Sequence, residues 1–335
     1  MRKKRIGISV IAFGVAMIIV AMVLMLAIVP GMKKWPSDVD TTRYYEGTLR
    51  TMLNAEALQK MDVANILMKD VPITINRHFT TEETKGNKAL VREVNTMYGP
   101  NKQTIMETDK WYPIDRKTTE LVSNFTDNDK AVNGGGLIIS FPISTEKEDY
   151  ERWVSDLQTT APLTYLREEK HAGINAYVFE SKVPGGQIVD PSVLAALPPA
   201  LPKATLSGLA TVLGLPEGKK AALNAILPAL PDMVPLKYTF EYGATYWVEP
   251  TTGMNIDIDK YEKRTAGLEI AGKFVPLTDV FWAEYKQTDA SVAEAVDDAR
   301  DAKDAIDLWG TTIPYAMIAV GVVLGALGLV FVLRR

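Results

Sequence analysis

Residues 313–333, IPYAMIAVGVVLGALGLVFVL, form one of two apolar runs that decide the fold, and residues 6–29, IGISVIAFGVAMIIVAMVLMLAIV, form the other. Neither run contains a charged side chain. At a helical rise of about 1.5 Å per residue, each is long enough to cross a hydrocarbon layer of roughly 30 Å. The sequence therefore predicts a transmembrane helix at each end of the chain, over residues 6–30 and 313–333.

Basic residues beside these runs predict the orientation of the chain. Residues 2–5 read RKKR and residues 334–335 read RR. Short flanks rich in Lys and Arg stay on the cytoplasmic side of a membrane. We therefore expect a two-pass protein of the plasma (cytoplasmic) membrane, with cytoplasmic tails over residues 1–5 and 334–335 and an extracytoplasmic domain over residues 31–308. Lys33 and Lys34 oppose this orientation but are outnumbered.

A cleaved signal peptide is the alternative interpretation of the first run. Signal peptides carry an apolar region of about 7–15 residues and a small-residue cleavage site. The run here is longer, and no Ala-x-Ala triplet precedes a plausible cut. These features favour an uncleaved anchor.

Composition excludes several classes of function. The 335-residue chain has no cysteine, a formal net charge of -4 and two histidines, His78 and His171. Disulfides are absent, nucleic acid is disfavoured as a partner, and little imidazole is present for metal binding or catalysis. The acidic run Glu146–Glu151 lacks a calcium-loop pattern and is interpreted as a solvated surface. We predict no enzyme activity, no cofactor and no metal site.

Most of the chain between the anchors has the pattern of antiparallel strands. Residues 71–122 and 236–287 alternate apolar and polar side chains between Gly, Pro and Asn turns. This pattern is typical of an antiparallel meander. Charges at alternate positions are expected on the wet outer face. Residues 137–141 predict a further apolar strand, and a short helix is expected from about Glu148.

Residues 190–235 differ in kind, because they hold eight prolines and are dominated by Leu and Ala. The prolines limit this insert to short helices. Two interpretations stay open: its apolar faces close one end of the β-domain, or they line the mouth of an apolar cavity and contact a ligand or partner. The side chains concerned are Leu206, Leu209, Leu213, Leu223, Ile226 and Leu227.

Three further local patterns give predictions about helices, helix packing and glycosylation. Residues 289–308 predict an amphipathic juxtamembrane stalk helix. Small residues in the anchors allow close helix packing, either between the two spans or with a second copy in a homo-oligomer. Asn124 begins an Asn-x-Thr glycosylation sequon. The small residues are Gly14, Gly321, Gly325 and Gly328.

Residues 136–153, GLIISFPISTEKEDYERW, and residues 246–253, YWVEPTTG, carry a family resemblance. With the terminal anchors, they make the chain resemble the PorA-type porin family of actinobacteria and some archaea, which offers no catalytic residues to carry over. The porin label implies a pore, yet no series of lipid-facing strands is visible. The architecture also resembles class B scavenger receptors, which bind lipids and pass them along an internal tunnel.

The predicted fold class is α+β, with a mostly antiparallel, barrel-like β-domain, a helical insert and two transmembrane helices. The leading hypothesis is a binding or transfer module for lipids or another apolar ligand, with membrane lipids as partners. The rival is a structural envelope protein that assembles laterally in the membrane. A third is an oligomeric pore, which needs several copies because two uncharged spans cannot line a channel alone.

Overall fold

The computed structural model describes residues 2–54, 57, 60, 62, 65–123, 125, 126, 128, 130–212 and 217–333. Two of its helices, Lys4–Met32 and Asp289–Leu333, are long and apolar enough to cross a membrane. The first comprises α1 (Arg2–Val23), a π-helical segment (Leu24–Ile28) and α2 (Val29–Met32). The second begins outside the apolar run, so its first half is the predicted stalk.

Among the described residues, twelve strands and five further α-helices lie beyond α2. The strands are β1 Asp40–Leu53, β2 Leu67–Lys85, β3 Lys88–Tyr98, β4 Thr104–Asp115, β5 Tyr150–Val154, β6 Thr159–His171, β7 Ile174–Gln187, β8 Ala200–Pro202, β9 Met233–Pro235, β10 Lys237–Glu249, β11 Met254–Ile270 and β12 Lys273–Gln287. The helices are α3 Pro191–Ala195, α4 Lys203–Val212, α5 Glu217–Ile226, α6 Asp289–Asp307 and α7 Ile313–Leu333, with a second π-helical segment, Leu308–Thr312, between the last two.

Ten strands form one curled antiparallel sheet, in the order β4-β3-β2-β1-β12-β11-β10-β7-β6-β5. Most neighbours are joined by tight turns, as the Gly and Asn punctuation predicts. The first and last strands are adjacent in the middle of the sheet, with Tyr45 opposite Gln287. The chain therefore enters and leaves the domain at the same end. The predicted α+β class with a barrel-like antiparallel sheet is confirmed.

An irregular segment between β4 and β5 spans the open side of this half-barrel. The amide of Val122 donates to the carbonyl of Pro113 on β4, and the amide of Leu121 donates to Gly136. Leu137 in turn donates to Glu151 on β5 and accepts from the amide of Trp153. Short backbone bridges therefore connect the two edge strands.

The two sequence predictions within this region are wrong. Residues 137–141 form a bridge at Leu137 but no strand, because their polar backbone groups bond in several directions: Ser140 accepts from the Thr119 hydroxyl, and Phe141 donates to Gly253. Instead of a helix from Glu148, the chain forms strand β5, which pairs with β6 and buries Val154.

The long strand β11 distinguishes two ends of the domain. Its first residues lie beside the end of β12 and the stalk α6, which continues into the second span. We call this the membrane-proximal end. Its last residues, near Leu268 and Ile270, pack against the insert. At about 3.4 Å per residue, this distal end lies roughly 55 Å away along the strand.

The stalk α6 docks on the half-barrel at its membrane-proximal end. Thr288 caps it by accepting from the amide of Ser291, and the Ser291 hydroxyl accepts from the amide of Tyr44 on β1. Val296 and Ala299 are buried against the β7 and β11 side chains Ala176 and Ile256. The membrane helix is thereby fixed to the domain before it enters the bilayer.

Candidate functional site

A mostly apolar cavity of about 200 Å³ lies at the membrane-proximal end. Its wall comes from the exit of the first span, four strands (β1, β2, β11 and β12), the turn before β11, the irregular segment and the stalk. The apolar lining residues are Met32, Trp35, Pro36, Val39, Phe79, Ile139, Ile143, Met254, Ile258, Ala302 and Ile306. The polar ones are Lys34, Thr41, Arg43, Tyr45, Arg77, Thr119, Ser140, Thr252, Asn255 and Gln287. Such a lining is typical of sites for apolar ligands. We call this the proximal cavity.

The wall nearest the membrane is held in place by Trp35. Its indole nitrogen donates to the Thr81 hydroxyl at 2.9 Å, and its amide donates to the carbonyl of Arg116 at 2.6 Å. The Arg116 guanidinium returns a hydrogen bond to the carbonyl of Trp35 at 2.7 Å. The chain is therefore tied to the sheet within three residues of leaving α2, which gives the cavity a fixed edge.

Two arginines in the wall are already paired. Arg43 Nη2 lies 2.5 Å from Asp298 Oδ2 on the stalk, and Arg77 bonds to Glu93 on β3. Arg43 Nη1 and Asn255 Oδ1 are buried without a hydrogen-bond partner among the described residues, although Glu294 lies within 3.7 Å of that Arg43 nitrogen. Most of the ion-pairing capacity of the polar wall is therefore used by contacts within the protein.

Beyond the cavity, charged side chains cross the interior of the half-barrel. This charged belt consists of Arg77, Glu93, Arg152, Lys260, Glu262 and Arg264, with Tyr45, Tyr112, Tyr242 and Tyr285 between them. It corrects the expectation that charges at alternate positions face solvent: Arg77 and Glu93 are less than 10% exposed. Buried charges persist in proteins when they are paired, as these are.

Pairing within the charged belt shifts its pKa values. Burial alone would raise the pKa of Glu262, but the cations of Lys260 and Arg264 outweigh it and lower the pKa to about 2. Burial raises the pKa of Tyr285 well above its ordinary value, and the Glu262 carboxylate raises it further. At neutral pH the belt therefore holds ionised carboxylates and neutral tyrosines.

The interior beyond the belt is filled by side chains. Leu49, Ile73, Phe281 and Ala283 are among the buried residues of the main core. The Arg152 guanidinium lies over the ring of Tyr242, 5.2 Å from its centroid. Because Arg77 belongs both to the belt and to the cavity wall, the proximal cavity reaches the belt.

The outer face of the sheet carries exposed ion pairs. Arg50 Nε lies 2.9 Å from Glu284 Oε2, and Lys147 Nζ lies 2.7 Å from Glu168 Oε2. Transmembrane strands instead present an apolar band to lipid. This charged face and the filled interior are typical of a water-exposed domain.

The two membrane helices pack against each other in antiparallel orientation. A Cβ atom built on Gly14 would lie 2.5 Å from the carbonyl oxygen of Gly321, and one on Gly7 would lie 2.7 Å from that of Gly328. Side chains at these positions would push the helices apart. Gly325 differs, because a Cβ there would have nothing within 4 Å. Of the glycines singled out from the sequence, Gly14, Gly321 and Gly328 thus lie in the contact between the two helices, and Gly325 lies outside it.

The insert forms a small core of its own at the distal end. Leu206, Leu223 and Leu227 are buried together with Val234 and Leu268, and Ile226 packs against them. None of these lines the proximal cavity. The side chain of Leu209 and all of Leu213 and Asn124 lie outside the described residues. A ligand-contact role for the insert remains a prediction.

Sequence reasoning missed the residues around the proximal cavity. Their signal was present in two places: the Lys33-Lys34-Trp35 exit from the first span, and Ala302 and Ile306 on the apolar face of the stalk. The other lining residues come from separate strands, and only folding brings them together. Among the described residues, no three His, Cys, Asp or Glu side chains are grouped so that they could hold a metal ion.

Comparisons with known proteins give one consistent family. A family model described as "Porin PorA" matches residues 6–330. The chain is 22% identical to Porin PorA of Corynebacterium resistens, over 99% of this chain and 97% of that protein.

Two solved structures share 10% and 11% identity with the chain. They are a conserved hypothetical protein of Mycobacterium tuberculosis with a double hotdog fold and a putative MaoC domain dehydratase of Chloroflexus aurantiacus. The alignments cover 82% and 81% of this chain and 80% of each structure, with TM-scores of 0.16 and 0.14. Scores at this level carry no argument about the fold.

Proposed function

Because this chain belongs to the PorA porin family, we propose a function for it as a membrane protein: its β-domain binds an apolar ligand in the proximal cavity. The observation that carries the proposal is the cavity itself, about 200 Å³ in volume and walled mainly by apolar side chains. Cores normally pack without such voids. An unfilled apolar space next to the membrane helices is therefore best explained by a ligand that fills it.

The charged belt supports binding over passage. A tunnel of the kind found in class B scavenger receptors would need an open route through the domain. Here paired charges and packed aromatic side chains occupy that route. We therefore propose a binding module whose ligand enters and leaves at the membrane-proximal end.

Native mass spectrometry of the detergent-purified protein tests this function. We expect one lipid-sized adduct that survives the activation at which loosely associated lipid is stripped away. Ala302→Phe, which extends a side chain from the stalk into the cavity, should remove that adduct. Ala305→Phe is the matched control, because Ala305 is half-buried on the same helix but does not line the cavity.

Melting temperatures separate a filled cavity from a damaged fold. Both variants should melt within a few degrees of wild type, so that loss of the adduct reflects occupancy. A wild-type protein without any adduct, or equal adducts in both variants, would remove the proposal.

A second candidate function is lateral self-assembly through the membrane helices. Gly325 favours it, since a Cβ there would meet nothing within 4 Å, which leaves this small residue open to the helix of a second copy. Crosslinking in intact membranes should show higher species that Gly325→Leu abolishes, while a strictly monomeric wild type excludes assembly. A pore in this family would then be built between copies, since the interior of the domain is filled.

A further inference from the structure

We propose that the ligand of the proximal cavity is a membrane lipid with an anionic headgroup, which inserts one acyl chain among the apolar side chains and places its headgroup on Lys34. This inference rests on the proposed function and names the ligand class for that site. It depends on the depth of the cavity, on an unpaired cation in its wall and on its volume.

The cavity begins where the first membrane helix ends, close to the level at which lipid headgroups are expected. Met32 is the last residue of the first membrane helix, and Ile306 lies seven residues before Ile313, where the second apolar run begins. Seven residues correspond to about 10 Å of helix. The headgroup layer is roughly 5–8 Å thick on each side of the hydrocarbon core. The wall between Met32 and Ile306 is therefore within reach of a lipid in the leaflet that faces the β-domain.

Among the described residues, Lys34 is the lining cation for which no protein partner is found. The guanidinium groups of Arg43 and Arg77 are held by Asp298 and Glu93. Lys34, by contrast, has no ion pair or hydrogen bond from its side chain to any described residue. It is half-buried in the wall, next to the Trp35 indole. Cations at this depth attract anionic lipid headgroups.

The neighbouring Lys33 provides an internal comparison. It is exposed, and it does not line the cavity. The two lysines therefore have the same charge, lie one and two residues beyond the membrane helix, and differ in their access to the cavity. A purely electrostatic attraction to the membrane would use both, whereas a headgroup seated at the cavity would depend on Lys34.

The volume fits a segment of one acyl chain. A cavity of about 150 Å³ holds one benzene molecule, with six carbon atoms. By the same scale, about 200 Å³ holds a segment of roughly eight carbons. A lipid could thus insert the terminal segment of one acyl chain, about eight carbons long, while its other chain stays in the bilayer. The charged belt defines the inner limit of that segment.

Nanodiscs of defined composition test the headgroup. Wild-type protein is reconstituted in phosphatidylcholine containing about one-third phosphatidylglycerol and then analysed by native mass spectrometry. A single lysine near a membrane surface favours an anionic lipid about fivefold. We expect the ratio of phosphatidylglycerol to phosphatidylcholine in the retained lipid to be about five times that of the disc, so that about 70% of it is phosphatidylglycerol.

The lysine variants decide between seated and diffuse binding. Lys34→Ala should keep one retained lipid but lose the enrichment, and Lys33→Ala should keep both. Equal enrichment in the two variants, or no enrichment in wild type, overturns the assignment of an anionic headgroup to Lys34. If retained lipid is absent throughout, the proposed function fails instead. A retained lipid lost from Ala302→Phe but indifferent to Lys34 leaves cavity binding intact and refutes only this inference.

Discussion

At the distal end of the β-domain, the insert folds Leu206, Leu223 and Leu227 over the last turn of the sheet and seals it. At the membrane-proximal end, Ile139, Met254 and Ile306 line a space that no described residue fills. Both ends are rich in the same apolar side chains. The distal end is covered because the chain turns back on itself there. The proximal end stays open because the chain leaves it for the membrane.

The comparison shows that apolar composition does not separate a core from a binding site. What separates them is whether a neighbouring element supplies cover. The charged belt lies between the two ends and keeps them different, because it stops the distal core from extending down to the cavity. Three changes, taken in order of expected effect, test how independent the two ends are.

Removing the belt's central carboxylate should damage both ends. Glu262→Gln leaves the Lys260 and Arg264 cations buried with one charge fewer to balance them. We expect the free energy of unfolding at pH 7 to fall by roughly 3 kcal/mol, measured by denaturant titration followed by tryptophan fluorescence. Glu284→Gln is the control, because that carboxylate is about 39% exposed on the outer face and its loss should cost under about 1 kcal/mol.

The same variant predicts a pH dependence. The pKa of Glu262 is about 2 in the folded protein and 4.5 in its ordinary state. Its stabilisation is therefore fully present above about pH 4.5 and is lost as the pH falls towards 2. Wild type and Glu262→Gln should converge in stability over that window. A difference that is the same at pH 7 and pH 3 would mean that the loss arises from packing.

Truncating the distal core should affect only the distal end. Leu223→Ala removes a side chain that is 4% exposed, and we expect unfolding to become easier by about 3 kcal/mol. The lipid adduct in native mass spectrometry should be unchanged. Leu194→Ala, at a position 37% exposed, is expected to cost far less. If Leu223→Ala left stability unchanged and removed the adduct, the insert would contact the ligand, which is the second of the two interpretations that the sequence allows.

Loosening the stalk should affect only the proximal end, and least. Arg43→Met removes the bonds to Asp298 and Glu294, whose side chains are about half exposed. Solvent screening reduces such a pair to about 1 kcal/mol. Hydrogen exchange should rise over α6 and stay unchanged over α5. Because salt screens exposed charges, the difference should shrink in 1 M NaCl; persistence at high salt would point to lost packing.

The sequence predicted those parts of the fold that depend on local pattern. Uninterrupted apolar runs define the spans, and alternation with Gly and Asn turns defines hairpins such as β2–β3. Residues 137–141 were wrongly predicted as a strand because burial on both sides resembles a central strand. In the fold they cross between two sheet edges, and their backbone groups bond to side chains and turns instead of a ladder.

The candidate site was largely beyond sequence reasoning. Its wall is assembled from residues as far apart as Met32 and Ile306, and no spacing rule connects them. The belt was missed for a related reason. Lys260, Glu262 and Arg264 alternate like surface charges, and only the curl of the sheet turns that face inward. A signal did exist at Lys34, whose charge on the domain side opposes the orientation set by residues 2–5.

The pairing of β1 with β12 determines the order in which parts of this protein can fold during synthesis. Tyr45 emerges from the ribosome long before its partner Gln287, and the stalk follows later still. The hairpins from β2 to β4 can form while the chain is still being synthesised. The pairing between β1 and β12 can form only after β12 has been synthesised. The proximal cavity is thus the last part of the molecule to be assembled, together with insertion of the second anchor. Until then, the edge of β1 that pairs with β12 has no partner strand.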